Sequence, residues 1–195
     1  MASSPDLLRV ATAVAAALER CGVRYSIGGS LASTFAGEPR STLDIGVLVE
    51  LPASSVEEFL RALGDEFFAD ADAVARAVRE RSSVNIFHNP TSTKVDLFIA
   101  GDSVLDRSQL ARRSRVRLNA GDIYVHSAED ILLQKLHWYR LGGEVSDRQW
   151  RDIVGIIAVQ GDRLDRAFLQ STARATGLDT LLTRALRDAD APPMA

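Results

Sequence analysis

Cysteine is nearly absent from this chain of 195 residues, which contains only Cys21. A single thiol excludes an internal disulfide framework and a zinc site built from cysteines. The three histidines, at positions 88, 126 and 137, lack the His-Glu-x-x-His spacing of zinc enzymes. We therefore expect neither a disulfide-stabilised fold nor a zinc site.

Long apolar runs and an excess of basic charge are also missing. No run approaches the roughly 20 residues that span a membrane, and the first residues lack the pattern of a signal peptide. We therefore predict a cytoplasmic protein without a membrane partner. The formal net charge of −3 provides no overall basic field for nucleic acid. The phosphate loop Gly-x-x-x-x-Gly-Lys-Ser/Thr and the dinucleotide fingerprint Gly-x-Gly-x-x-Gly are absent as well.

Hydrophobic periodicity divides the chain into two parts. Up to residue 126, short runs rich in Val, Ile and Leu alternate with segments of helical spacing, which predicts a small mixed β-sheet with flanking helices. After that point nearly every segment is helical in its spacing and begins at a serine or aspartate. The predicted helices cover 127–141, 146–160, 162–176 and 178–189. We predict an α+β fold with an α/β core at 1–126 and a helical region at 127–195 packed on it.

The dipeptide Gly28-Gly29, followed by Ser30, connects a predicted strand at 23–27 to a short predicted helix. Glycines permit close approach of a ligand, and the first turn of a helix presents free N–H groups. This arrangement suits a triphosphate, with the Ser30 hydroxyl adding a hydrogen bond. An ordinary turn with a capping serine is the alternative, and it is the more common structure for such a dipeptide.

Two acids lie within apolar strands further along the chain. In the predicted strand 43–51, Asp44 and Gly46 share the face of the glycine turn, because alternate strand residues point the same way. Asp96 has the same setting in the strand 94–100. Two carboxylates facing each other favour a divalent cation between them. The alternatives are an Asp44 paired with Arg40 and an Asp96 bonded to local backbone.

This ordered set of motifs resembles the nucleotidyltransferase superfamily of polymerase-β-like enzymes. The run from Gly28-Gly29 to Arg40-Ser-Thr42-Leu-Asp44-Ile is similar to that of minimal nucleotidyltransferases and their AbiEii-type toxin relatives. The resemblance implies binding of a nucleoside triphosphate with Mg²⁺ or Mn²⁺. It also implies transfer of a nucleotidyl group to a hydroxyl or phosphate acceptor, which is a small molecule, a protein or RNA.

The resemblance assigns a role to each matching residue. Asp44 and Asp96 would hold metal, and Asp96 would also act as the base. The residues implied to bind the nucleotide are Gly28, Gly29, Ser30, Arg40, Thr42, Lys135 and Asp152. Of these, Lys135 would reach the phosphates, and Asp152 would orient it or pair with a nearby arginine. On the helical pattern alone, Lys135 either extends to solvent or meets an anion, and Trp138 and Trp150 are expected to be core anchors.

Position 46 departs from the family pattern, which has a second metal-binding aspartate there. Glycine supplies no ligand, and Glu50 lies about 13 Å further along the strand at about 3.3 Å per residue. The alternative to an active enzyme is therefore a catalytically degenerate, regulatory or partner-binding protein of the toxin–antitoxin kind. A narrower form of the active enzyme would modify a small acceptor such as an aminoglycoside, since the acidic pI is compatible with a cationic acceptor.

Overall fold

The structure is a computed structural model that describes residues 5–37 and 44–190. Arg40 and Thr42, two of the predicted nucleotide-binding residues, lie outside this part of the chain. The helices are α1 Pro5–Arg20, α2 Gly29–Ala36, α3 Val56–Leu63, α4 Ala71–Glu80, α5 Val104–Ala111, α6 Ala128–Leu141, α7 Asp147–Gln160, α8 Arg166–Thr176 and α9 Asp179–Asp190. The strands are β1 Tyr25–Ile27, β2 Asp44–Val49, β3 Phe67–Phe68, β4 Ser83–His88, β5 Thr93–Ile99, β6 Ser114–Leu118 and β7 Gly121–Val125.

The strands form one mixed sheet in the order β3-β4-β5-β2-β1-β7-β6. Its centre joins β2 in parallel to β5 and antiparallel to β1, and β1 is in turn parallel to β7. The pairs β4–β5 and β6–β7 are antiparallel neighbours joined by short turns. The α+β prediction is therefore confirmed. The two-residue strand β3 was not predicted, because it is too short to show a period.

The two faces of the sheet differ in the way that the alternation on β2 and β5 predicts. On one face, Ile45, Val47, Val95 and Leu97 are buried in a hydrophobic cluster that also contains residues of α1, α3 and α4. On the other face, the side chains of β5 are only half-buried. Because helices cover the first face, the polar side chains of both strands are directed to the second face.

A second hydrophobic cluster occupies the helical region. Leu132 and Leu136 of α6, together with Ile153 and Ile157 of α7, pack in it with residues of α8 and α9. The same two helices also contribute Ile131 and Ile156 to the cluster beneath the sheet. The helices α6 and α7 are thus shared by both clusters. The division of the chain at residue 126 stays a prediction.

A buried polar network fixes the beginning of α6. The fully buried carboxylate of Asp130 accepts hydrogen bonds from Ser108 Oγ at 2.5 Å and from the capping Ser127 Oγ at 2.8 Å. Arg112 Nε lies 3.9 Å from the same carboxylate, and Arg112 also pairs with Glu129. Hydrogen bonds and charge compensate the burial of Asp130. The network therefore holds α6 in a defined position against α5.

Within the described ranges, none of the helices is both long enough and apolar enough to cross a bilayer.

Candidate functional site

A cavity of about 440 Å³ lies on the polar face of the sheet, between β2, β5 and the helices α2, α6 and α7. Seven of the nine predicted site residues line it, and the other two, Arg40 and Thr42, are outside the described residues. The lining residues are Gly28, Gly29, Ser30, Asp44, Gly46, Leu48, Asp96, Phe98, His126, Gln134, Lys135, Trp138, Ser146, Arg148, Gln149 and Asp152. Residues far apart in the sequence thus meet in one place.

The glycine turn approaches its surroundings closely. The N–H of Gly28 donates to the carbonyl of Gly46 at 2.9 Å, which fixes the turn to β2. A Cβ atom on Gly28 would lie 2.5 Å from His126 Nε2 and 3.0 Å from Gln134 Oε1, far inside contact distance. Gly29 has a φ of +62°, in the left-handed region that favours glycine. Both glycines are therefore required by the structure, each for a different reason.

His126 lies directly behind this turn, at the end of β7. Its side chain is 2% exposed, and its Nδ1 is 2.7 Å from Ser26 Oγ. The other ring nitrogen, Nε2, has no hydrogen-bond partner among the described residues. Burial lowers the pKa of His126 to about 3, so the ring is neutral at physiological pH. A neutral imidazole thus forms the floor of the cavity beneath Gly28.

The two predicted acids are joined by a residue that the sequence analysis did not identify, Lys94. Its Nζ lies 3.5 Å from Asp44 Oδ2 and 3.2 Å from Asp96 Oδ2. The pairing of β2 with β5 explains this contact, because Asp44 is opposite Lys94 and Gly46 is opposite Asp96. The hydrogen bond to Asp96, assisted by the charges of both acids, raises the pKa of Lys94. Lys94 precedes Asp96 by two residues on β5. The alternation of side chains along a strand therefore places both on the same face, which could have been recognised from the sequence.

The donor set between these strands does not match a divalent metal ion. Within the described ranges, no group of three or more histidine, cysteine or acidic side chains is placed to hold one. Glu50, directly after β2, is paired with Arg24 through contacts of 2.6 and 2.7 Å. Two carboxylates remain, and an ammonium group lies between them. Metal binding by Asp44 and Asp96 stays a prediction of the family resemblance.

Lys135 and Asp152 form an ion pair on another wall of the cavity. Lys135 Nζ is 3.0 Å from Asp152 Oδ2, and both side chains are largely buried. Orientation of Lys135 by Asp152 requires such a contact, and both predicted roles of Asp152 stay predictions. Arg148, in the first turn of α7, also lines the cavity. A positive side chain and a helix N-terminus thus face the same space from the helical region.

Trp138 is an exposed cavity residue, and its prediction as a core anchor is wrong. It is 46% exposed, and its ring centroid lies 6.3 Å from that of Phe98 on β5. Trp150, in contrast, packs on Tyr139 and donates a hydrogen bond from Nε1 to Asp188, in agreement with an anchoring role. Trp138 and Phe98 together form an aromatic wall near the acids.

No protein-family model matches the sequence, and no curated protein matches it. Solved structures do match. An antigenic nucleotidyltransferase-like protein from Paracoccidioides brasiliensis is 21% identical, with a TM-score of 0.58, over 95% of this chain and 94% of its own. The antibiotic-resistance factor ANT(2'')-Ia is 11% identical, with a TM-score of 0.56, over 92% and 97%. The lincomycin-bound lincosamide antibiotic adenylyltransferase LnuA is 14% identical, with a TM-score of 0.51, over 81% and 98%. At these identities the similarity concerns the fold.

Proposed function

Because the chain has the nucleotidyltransferase fold, we propose that it binds a nucleoside triphosphate and transfers a nucleotidyl group to an acceptor. One observation carries the proposal. Residues selected from the sequence alone, on α2, β2, β5, α6 and α7, line a single cavity on the polar face of the sheet. The volume of about 440 Å³ is within the range of small-molecule sites, about 300–1,000 Å³.

The triphosphate binds in this proposal against the glycine turn. The N-terminus of α2 begins at Gly29 and presents backbone N–H groups, which together with the helix dipole favour an anion. Ser30 adds its hydroxyl group. Lys135 and Arg148 provide positive charge from the opposite wall, where Asp152 holds Lys135 in place. A ligand with several negative charges thus meets donors from both sides.

The transfer step requires an acceptor oxygen beside the α-phosphorus. The oxygen forms a bond to this phosphorus while the bond to the β-phosphate oxygen breaks, and pyrophosphate leaves with the electron pair. Asp96 accepts the proton of an acceptor hydroxyl, because its carboxylate lines the cavity where the two strands meet. Asp44 lies on the neighbouring strand β2 and helps to position the acceptor in the same part of the cavity. The predicted Mg²⁺ or Mn²⁺ between these acids is part of what the family resemblance implies.

A small hydroxylated molecule is the acceptor that the observations favour over a protein or RNA. Two of the structurally similar proteins are an antibiotic-resistance factor and an antibiotic adenylyltransferase, and ANT(2'')-Ia has been solved with adenylyl-2''-tobramycin. In this chain, Asp44 and Asp96 exceed the charge of Lys94 between them by one negative charge, which suits a cationic acceptor. Trp138 and Phe98 provide an apolar wall for its rings beside them.

The first test is calorimetry with ATP, GTP, CTP and UTP on the unmodified chain and on Lys135→Gln. We expect one or more nucleotides to bind and Lys135→Gln to weaken binding by about tenfold or more, because charge-assisted hydrogen bonds contribute about 1.5–3 kcal/mol. Arg61→Gln removes the same charge from an exposed pair with Glu57 on α3 and serves as the control. Absence of binding by all four nucleotides at millimolar concentration would reject the proposed function.

A catalytically degenerate, partner-binding protein is the second candidate, and Gly46 is the observation that favours it. The discriminating variant is Gly46→Asp. The structure has room for this side chain, since a Cβ there would be 3.6 Å from Phe98 Cε2, an ordinary contact. Under this second function, neither the unmodified protein nor Gly46→Asp transfers a labelled nucleotide. Measurable transfer by the unmodified protein would eliminate it, and a gain of transfer in Gly46→Asp would indicate recent loss of activity.

A further inference from the structure

Lys94 is the feature of the site that neither the motif pattern nor the proposed chemistry uses. We propose that its ammonium group is the resident cation of the site, so that the protein binds a nucleoside triphosphate without a divalent metal ion. This inference rests on the proposed function, because it concerns how the same nucleotide is held. It contradicts the metal dependence that the family resemblance implies.

The position of the ammonium group is the first argument. Lys94 Nζ lies within 3.5 Å of a carboxylate oxygen on each of two neighbouring strands. This is the space in which a metal ion between Asp44 and Asp96 would have to bind. A divalent ion there would be repelled by the ammonium group unless Lys94 moved away. The ion pairs oppose that movement modestly, and the pair with the more buried Asp96 contributes more than the pair with Asp44, which is 54% exposed.

The charge of the cluster is the second argument. Asp44, Asp96 and Lys94 together carry one negative charge, whereas an aspartate at position 46 would raise it to two. A divalent ion such as Mg²⁺ is usually bound through one or two carboxylates together with substrate phosphates, so the charge left on these two acids determines how strongly it is attracted. The two carboxylates are also already in contact with a cation. Lys94 thus neutralises one of the two negative charges.

The glycine at position 46 is not required by packing, which is the third argument. Its backbone needs no left-handed conformation, and the space above it accepts a Cβ atom at ordinary contact distance. Because position 46 has no acidic side chain, the space beside Asp96 is open to the cavity. Lys94 does not itself line the cavity, but its side chain is 34% exposed and its ammonium group lies 3.2 Å from Asp96, which does, so that a donor remains for a phosphate oxygen beside Asp96.

Lysine is rare in this chain, and the contacts of its two lysines also support the proposal. Only two of the 23 basic residues are lysines, and the remainder are arginines. Lys94 contacts the two acids, and Lys135 contacts the cavity residue Asp152. Lysine carries a compact point charge, whereas arginine is a planar fork. The compact ammonium group of a lysine can occupy a space between two carboxylates and a phosphate.

Calorimetry of the full chain with each of the four triphosphates, in EDTA and in excess Mg²⁺, tests the inference. We expect dissociation constants in EDTA and Mg²⁺ that agree within about threefold, and a loss of about tenfold or more in EDTA for Lys94→Gln. Arg61→Gln is again the control for loss of one positive charge, and thermal unfolding shows whether each variant folds. The inference is overturned if Mg²⁺ tightens wild-type binding by about tenfold or more. It is also overturned if Lys94→Gln binds in EDTA as the wild type does.

The same experiment separates this inference from the proposed function. Binding that depends on Mg²⁺ rejects the role of Lys94 and leaves the proposed function intact. Absence of binding in both conditions rejects the proposed function, and the inference with it.

A second measurement needs no nucleotide. In electron paramagnetic resonance we expect the wild type to leave Mn²⁺ free and the double variant Gly46→Asp/Lys94→Gln to bind it. Tight Mn²⁺ binding by the wild type, or none by a folded double variant, contradicts the inference.

Discussion

Gly28→Ala is expected to weaken nucleotide binding strongly and to reduce the stability of the fold. The added Cβ would lie 2.5 Å from His126 Nε2 and 2.7 Å from His126 Cδ2. His126 cannot move away easily, because it is buried and its other nitrogen is next to Ser26. The turn must therefore shift, and overpacking of this kind typically costs about 1–3 kcal/mol of unfolding free energy.

A shift of the turn also moves the donors that the triphosphate needs. Gly28 is bound to the carbonyl of Gly46 and precedes the first turn of α2, so its displacement changes the direction of the N–H groups of that turn. Displacements of about 1 Å in a preorganised site can reduce a reaction rate by about 100-fold, and we expect an effect of similar size on binding to preorganised donors. We therefore expect binding of the preferred triphosphate to weaken by about 100-fold in Gly28→Ala.

Gly22→Ala is the matched control for this prediction. Gly22 has a φ of +63° in the turn after α1, and nothing lies within 4 Å of its added Cβ. The substitution is expected to cost about 1–2 kcal/mol of stability through backbone strain, with no change in nucleotide affinity. Urea unfolding and calorimetry measure the two effects separately. Equal affinity of Gly28→Ala and wild type would show that the turn does not hold the phosphates.

Stability is expected to fall in mild acid because of His126. Burial lowers the pKa of this histidine in the folded protein to about 3, whereas its unfolded value is near 6.5. Between these values the unfolded chain binds a proton that the folded protein does not. The unfolding free energy therefore falls as the pH is lowered from 6.5 towards 3. The contribution of His126 to this loss is about 2 kcal/mol at pH 5, at 1.36 kcal/mol for each pKa unit.

Urea unfolding of the wild type and His126→Gln at pH 7.5 and pH 5 isolates this contribution. Other groups titrate in both proteins, so the difference between their pH dependences belongs to His126. The wild type is expected to lose about 2 kcal/mol more than the variant between the two pH values. In the folded wild type, the NMR signals of the His126 ring are expected not to titrate between pH 5 and pH 8. Equal pH dependence in both proteins, or a titrating ring, would contradict the assignment.

The parts of the site that could be predicted depend on short-range periodicity. Asp44 and Asp96 were placed on one face of the sheet by the alternation of residues along a strand, and the structure brings both to Lys94. The same rule places Lys94 on that face, but a charged residue at the beginning of a strand is usually solvated and carries little signal. The turn at Gly28 was recognised from the dipeptide alone.

Other parts depend on contacts between distant segments and had no local signal. The approach of His126 to Gly28 follows from the parallel pairing of β1 with β7, which periodicity does not specify. Trp138 was assigned to the core because core anchoring is the more common role of such a tryptophan. It shares a helical stripe with Ile131. In the structure this stripe continues through Gln134 and Lys135 into the cavity, so that only its beginning at Ile131 is covered by the sheet.

The sharing of α6 between two hydrophobic clusters has a consequence for any attempt to divide the chain. A shortened protein that ends near residue 126 would keep the glycine turn, both acids and Lys94. It would lose Lys135, Asp152 and Trp138, and with them the whole opposite wall of the cavity. Ile131 would also leave the cluster beneath the sheet, exposing apolar surface there. The ligand site and the hydrophobic core are thus completed by the same helix, and neither is available to the sheet region alone.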